Sequence, residues 1–74
     1  MSYQIEVEED RIVVTYTDWK DVVSLDKGVR KAVGALGLTI ASQVGNNDTN
    51  THAWVLSAPI TMEQAEDLEE LLVG

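Results

Sequence analysis

Cysteine is absent from this 74-residue chain, which removes disulfides, thiolate metal sites and cysteine nucleophiles together and leaves the redox compartment undecided. Phenylalanine is absent too, proline and histidine occur once each, and five lysines and arginines stand against thirteen acids. The resulting charge of −8 opposes binding to DNA, RNA or an anionic membrane surface, which are all negatively charged. No apolar run approaches the roughly 20 residues of a membrane span, and the first residues lack the basic-then-apolar pattern of an export signal, which predicts a cytoplasmic protein. A chain this long predicts one domain over residues 1–74. Such a domain withdraws only about 60% of its unfolded surface from water, so its core is small and a dimer or partner would add to it.

What is present begins with one long stretch of helical spacing, Asp18–Gly37. Val22, Leu25, Val29, Val33 and Leu36 recur at steps of three and four and form one stripe that needs a sheet to cover. Asp18 is placed as N-cap, with Asp21 three residues on as a loose capping box, and Gly37 is placed as the stop. Gly28 costs about 1 kcal/mol relative to alanine, and Ser24 is itself a capping residue. The helix therefore starts either at Asp18, the reading adopted here, or after Ser24.

Strand periodicity flanks this helix on both sides. Tyr3–Glu8 and Arg11–Thr17 alternate apolar with polar residues. With Glu9 and Asp10 as a two-residue turn, Val7 faces Ile12, Ile5 faces Val14, Tyr3 faces Tyr16, and Glu8 stands opposite Arg11. Leu38–Val44 and His52–Ala58 form a second pair across the loop Gly45–Thr51. Pairing Val44 with His52 gathers Leu38, Ile40, Trp54 and Leu56 on one face, and Pro59 ends the strand. Thr61 and Gln64 then open a second helix, with Ile60 against Ala65 as a hydrophobic staple. Ala65, Leu68, Leu71 and Leu72 point inward there.

The order ββαββα predicts an α+β domain, a four-stranded antiparallel sheet of strand order 1-2-4-3 with both helices on one face. It is the order obtained when the last strand of a ferredoxin-like βαββαβ fold moves to the front, a circularly permuted ferredoxin-like arrangement. The comparison is architectural and licenses no function.

The charge is uneven. Asp18–Gly37 holds four cations and three anions, whereas the rest of the chain holds one cation and ten anions. Plain solubility and adaptation to high salt compete here with a surface built for a basic partner. In the second helix Glu63, Glu66, Asp67 and Glu70 point outward and are candidate partner-binding residues. Val13, Thr15, Ala41, Ala53 and Val55 join them, because the registers place these five on the sheet face away from the helices, with less charge than a solvated face normally carries.

The polar loop supplies a second candidate set, Asn46, Asn47, Asp48 and Asn50, as a recognition loop. Its alternate oxygens have a superficial likeness to a calcium loop, but the glycine at the sixth position and the glutamate at the twelfth are missing, replaced by Thr51 and Ser57. Asn47-Asp48-Thr49 fits a glycosylation triplet, which is meaningless without secretion. His52 has no partner at catalytic spacing and reads as a partly exposed strand-end residue. Trp54 reads as core and Trp19 as core or its edge.

No catalytic constellation, metal site or cofactor emerges. The expected function is a small acidic, non-enzymatic interaction module that binds and modulates a protein with a basic surface, as inhibitors, immunity proteins and phage anti-defence factors do. A homodimer through the exposed sheet face is a further expectation. Rival readings are a ferredoxin-like domain sensing a small molecule, and a structural subunit of a virion or complex from a salt-loving source.

Overall fold

Alternation and helical spacing translate into six elements in the computed structural model, which describes residues 3–73: β1 (Tyr3–Val7), β2 (Arg11–Tyr16), α1 (Trp19–Ala35), β3 (Ile40–Asn46), β4 (Thr51–Leu56) and α2 (Met62–Val73). The four strands form one sheet of order β1-β2-β4-β3, antiparallel throughout. The ferredoxin-like arrangement with its last strand moved to the front is therefore the observed one.

The first ribbon pairs as its pattern requires. Tyr3, Ile5 and Val7 stand opposite Tyr16, Val14 and Ile12, and Glu8 N–H donates to the Arg11 carbonyl at 2.8 Å across the Glu9-Asp10 turn. That turn is held from outside as well. The Asp10 carbonyl accepts from Leu56 N–H at 2.8 Å and the Glu9 carbonyl from Ile60 N–H at 2.7 Å, which ties the tip of the ribbon to the link between β4 and α2.

Helix α1 is continuous from Trp19, so the start at Asp18 holds and Ser24 does not cap. The Asp18 side chain accepts from Lys20 N–H at 3.0 Å, a bond to the second residue after the cap rather than to Asp21. Gly37, at φ 72, closes the other end. Leu38 N–H donates to Val33 and Gly37 N–H to Gly34, the paired bonds of a Schellman motif. At α2, Thr61 and Gln64 form the expected reciprocal box: Gln64 N–H donates to Thr61 Oγ1 at 3.1 Å and Thr61 N–H to Gln64 Oε1 at 3.0 Å.

Both helices pack on the same sheet face, α1 against β2, α2 against β1, and each against the other. Ile12, Val14, Tyr16, Trp54 and Leu56 from the sheet meet Val22, Val29, Ala32 and Val33 of α1, Ile60, and Leu68 of α2. Leu71 is a correction. It was expected inward but stands largely exposed, because the stripe through Ala65, Leu68 and Leu72 already fills the space beneath the helix and leaves Leu71 on its flank.

The second ribbon departs from its expected register. Ile40 does pair with Leu56, but Val44 pairs with Ala53 and Gly45 with His52, not Val44 with His52. The register shifts between Ile40 and Ser42, so Ala41 is an extra residue in a β-bulge. Strand β3 accordingly runs on to Asn46, two residues beyond the expected end, and the seven-residue loop shrinks to the turn 47–50. Within it Asn46 Oδ1 accepts from Asp48 N–H at 3.0 Å, Asn50 takes a left-handed φ of 52°, and the Asn50 carbonyl accepts from Tyr16 N–H. Asparagine suits both tasks, bonding its own backbone and tolerating positive φ.

Candidate functional site

Charge becomes a spatial property once the fold is known. The β1–β2 ribbon and α2 hold Glu6, Glu8, Glu9, Asp10, Glu63, Glu66, Asp67, Glu69 and Glu70 against Arg11 alone, which equals the whole net charge of −8. Residues 17–61 hold Asp18, Asp21, Asp26 and Asp48 against Lys20, Lys27, Arg30 and Lys31, and are neutral. Because α2 packs beside β1 at one edge of the sheet and β3 is the other edge, the molecule has an acidic side and a neutral one.

The acidic side is barely neutralised from within. Among the described residues the ion pairs are Arg11–Asp10 at 3.2 Å and Arg30–Asp26 at 2.9 Å. The Arg11 guanidinium beside Asp10 holds that carboxyl below the usual carboxylate range. On α2, Glu63, Glu66, Asp67, Glu69 and Glu70 are all exposed and have no ion-pair partner among the described residues. Glu63–Asp67 and Glu66–Glu70 are like charges at i, i+4, each destabilising by about 0.2–0.5 kcal/mol. The last turn carries no base, so Glu69 and Glu70 also face the negative end of the helix. Exposed apolar groups accompany them: Met62, Leu71 and Val73. A groove of about 400 Å³ runs between the end of α2 and β1, lined by Tyr3, Gln4, Ile5, Glu6, Leu72 and Val73.

The candidate residues named from sequence fall into separate places. On the open sheet face one row across the strands reads Glu6, Val13, Ala53, Val44, and the next Gln4, Thr15, Thr51, Asn46. Val55 lies between Arg11 and Ser42 in a third row. Val13, Thr15, Ala53 and Val55 are thus neighbours as expected, and Ala41 stands in the bulge at the edge. Glu63, Glu66, Asp67 and Glu70 are in the helical layer on the other side of the sheet, so the structure does not unite them with this face. Val44 was missed, since the one-residue slip at the bulge turns it to the opposite face. In the loop, Asn46 and Asn50 are used in shaping the turn, while Asn47 and Asp48 are exposed.

A third cluster was invisible in sequence. Trp54 Nε1–H donates to Asp26 Oδ1 at 3.0 Å, and Arg30 Nε–H donates to Asp26 Oδ2 at 2.9 Å, so one carboxylate ties α1 to the sheet. The indole and then the guanidinium hold Asp26 below the usual carboxylate range. His52 is a correction, buried rather than partly exposed. It packs edge-on between Trp19 and Trp54 at centroid distances of 5.5 and 4.8 Å, and its Nε2 lies 2.9 Å from Gln43 Oε1. Burial pushes its pKa down, opposed by the Asp26 charge. With Gln43 as acceptor, Nε2 carries the proton and Nδ1 is a bare lone pair. That atom is buried without a partner and lies against Gly45, where a Cβ would come within 3.4 Å. Enclosure on that side keeps a substrate proton from Nδ1, and in the shallow groove, about 240 Å³, Asp26 is bonded to Arg30 and Gln43 to His52 itself.

Among the described residues no helix is long and apolar enough to cross a membrane, and no three histidines or carboxylates converge as metal ligands do. Protein-family models, curated proteins and solved structures were all compared with the chain, and none matches.

Proposed function

We propose that this protein is a non-enzymatic interaction module that binds and modulates a protein with a basic surface through the side formed by β1 and α2. The observation that carries this reading is the set of five exposed carboxylates on α2. They repel one another along one helix and lack ion-pair partners among the described residues, and four of them flank exposed apolar groups, Asp67 and Glu70 beside Leu71, and Glu66, Glu69 and Glu70 beside Val73. Such an arrangement lowers the stability of a small domain and is relieved when cations of another molecule approach. Apolar groups among the charges supply the desolvated contact on which an interface depends, the charges mainly speeding and orienting the encounter.

The test is affinity capture from native extract with wild type and with a Glu63→Gln, Glu66→Gln, Asp67→Asn, Glu70→Gln variant, followed by kinetics on the captured protein. The expected partner is basic on the contacted surface, its association rate falls steeply with salt, and the variant loses most of that rate. Equal capture by the two proteins, or association indifferent to salt, would refute the proposal.

A further inference from the structure

We infer that β3 is the pairing edge of a two-fold dimer, in which the four-stranded sheet continues into that of a second copy. The backbone supplies the first argument. Leu56 N–H donates to Asp10 and the Asn50 carbonyl accepts from Tyr16, both across the gap to β2. Alternation along an antiparallel strand then turns Thr51, Ala53 and Val55 toward β3. Their opposites Asn46, Val44 and Ser42 bond back to β4, so Gln43 and Gly45 direct their N–H and C=O groups to the open edge.

The two edges of the sheet are protected very differently. β1 carries Glu6, is followed by Glu8 and Glu9, and has α2 packed along it. β3 has neither charge nor proline from Ile40 to Asn46, and its one protective device is the bulge at its start. Three exposed apolar side chains stand around that edge, Val44 on the open face and Trp19 and Val23 beside the groove facing Gln43.

Charge selects the occupant. A basic partner is drawn to the β1–α2 side, where the net charge resides, while two copies of a strongly anionic chain approach most easily where each is neutral. Joined at β3, they keep their acidic sides at the far ends of an extended sheet. An antiparallel register centred on Val44 lets Gln43 of one copy exchange backbone hydrogen bonds with Gly45 of the other. It also sets the two Val44 side chains directly opposite, as a cross-strand apolar pair. No like charges meet across the axis. The dimer does not rest on the acidic-side reading, and the two are measured separately.

Sedimentation of the full chain over a concentration series tests it, with the expected mass rising from one chain to two. Gln43→Pro removes an edge N–H and leaves the open face intact, and Val44→Lys places like charges across the axis. Each is expected to raise the dimer dissociation constant at least tenfold, equivalent to about 1.4 kcal/mol or more. In the wild-type protein, amide exchange at Gln43 and Gly45 slows as the dimer fraction grows, a readout independent of whether either variant folds. A chain that stays monomeric throughout overturns the inference. So does a dimer whose Gln43 and Gly45 amides exchange as in the monomer, or one that survives Gln43→Pro but dissociates in Val13→Lys, which would locate the contact on the open face.

Discussion

The β1–β2 ribbon with α2 and the remainder built from α1, β3 and β4 share one core but use their charges in opposite ways. In the neutral part, charged and polar side chains are spent on holding elements together: Asp26 binds Trp54 and Arg30, and Gln43 binds His52. In the acidic part the side-chain ion pair is Arg11–Asp10, between adjacent residues, and the carboxylates of α2 contribute nothing to packing. The contrast separates residues whose replacement weakens the fold from residues whose replacement changes what the surface attracts and relieves repulsion along α2.

The largest expected effect breaks the join between the two parts. Leu68 is the fully buried residue of α2, and Leu68→Ala should cost about 2–5 kcal/mol. Urea unfolding would read this as a large fall in midpoint, or as a detached α2 seen in lost helical signal. Next, Asp26→Ala leaves the Trp54 N–H unpaired beneath α1 and frees Arg30, at an expected cost of about 1–3 kcal/mol in the same assay. In the acidic part, a change of charge should act with the opposite sign. Glu70→Lys removes a like-charge neighbour of Glu66 and supplies the missing base in the last turn, and thermal unfolding should show a gain of about 0.5–1 kcal/mol.

The smallest effect is a dependence on pH carried by the neutral part. Burial holds the folded-state pKa of His52 below its ordinary value of about 6.5, so the unfolded chain binds the proton more readily. Stability is therefore full above about pH 6.5 and declines as the pH falls from there toward the lowered folded-state value. Asp26, held below the carboxylate range by Trp54 and Arg30, has its own contribution at neutral pH and loses it only under more acid conditions. A urea midpoint that falls between about pH 7 and 5 in wild type but stays level in His52→Gln would support the assignment. Equal slopes in the two proteins would remove it.

Sequence disclosed the register of the first ribbon, since a two-residue Glu9-Asp10 turn sets Tyr3, Ile5 and Val7 opposite Tyr16, Val14 and Ile12, although Glu-Asp also allowed a longer bulged loop and the strands end one residue sooner than expected, at Val7 and Tyr16. It disclosed α1 and its caps, since Asp18 and Gly37 occur where the apolar stripe begins and ends. The second ribbon was legible at Ile40 and Leu56 and lost beyond Ala41, because a bulge of alanine and serine leaves no mark in the alternation of a strand that is polar on both faces. That single slip hid Val44 and the length of β3. The burial of His52 was equally hidden, because it depends on Trp19 and Gln43, brought in from α1 and β3. The separation of the acidic helix from the open sheet face follows from which side of the sheet α2 occupies, a property of three dimensions that two candidate lists read along the chain did not contain.

The carbonyls of Glu9 and Asp10 take their bonds from Ile60 and Leu56, so the tip of the first ribbon is latched by backbone about fifty positions further on, and such distant contacts slow folding. An early-formed β1–β2 ribbon would keep that tip frayed until the closing stretch of β4 swings in. Burst-labelling of amides during refolding should therefore find Leu56 and Ile60 protected among the last, however soon the ribbon itself appears.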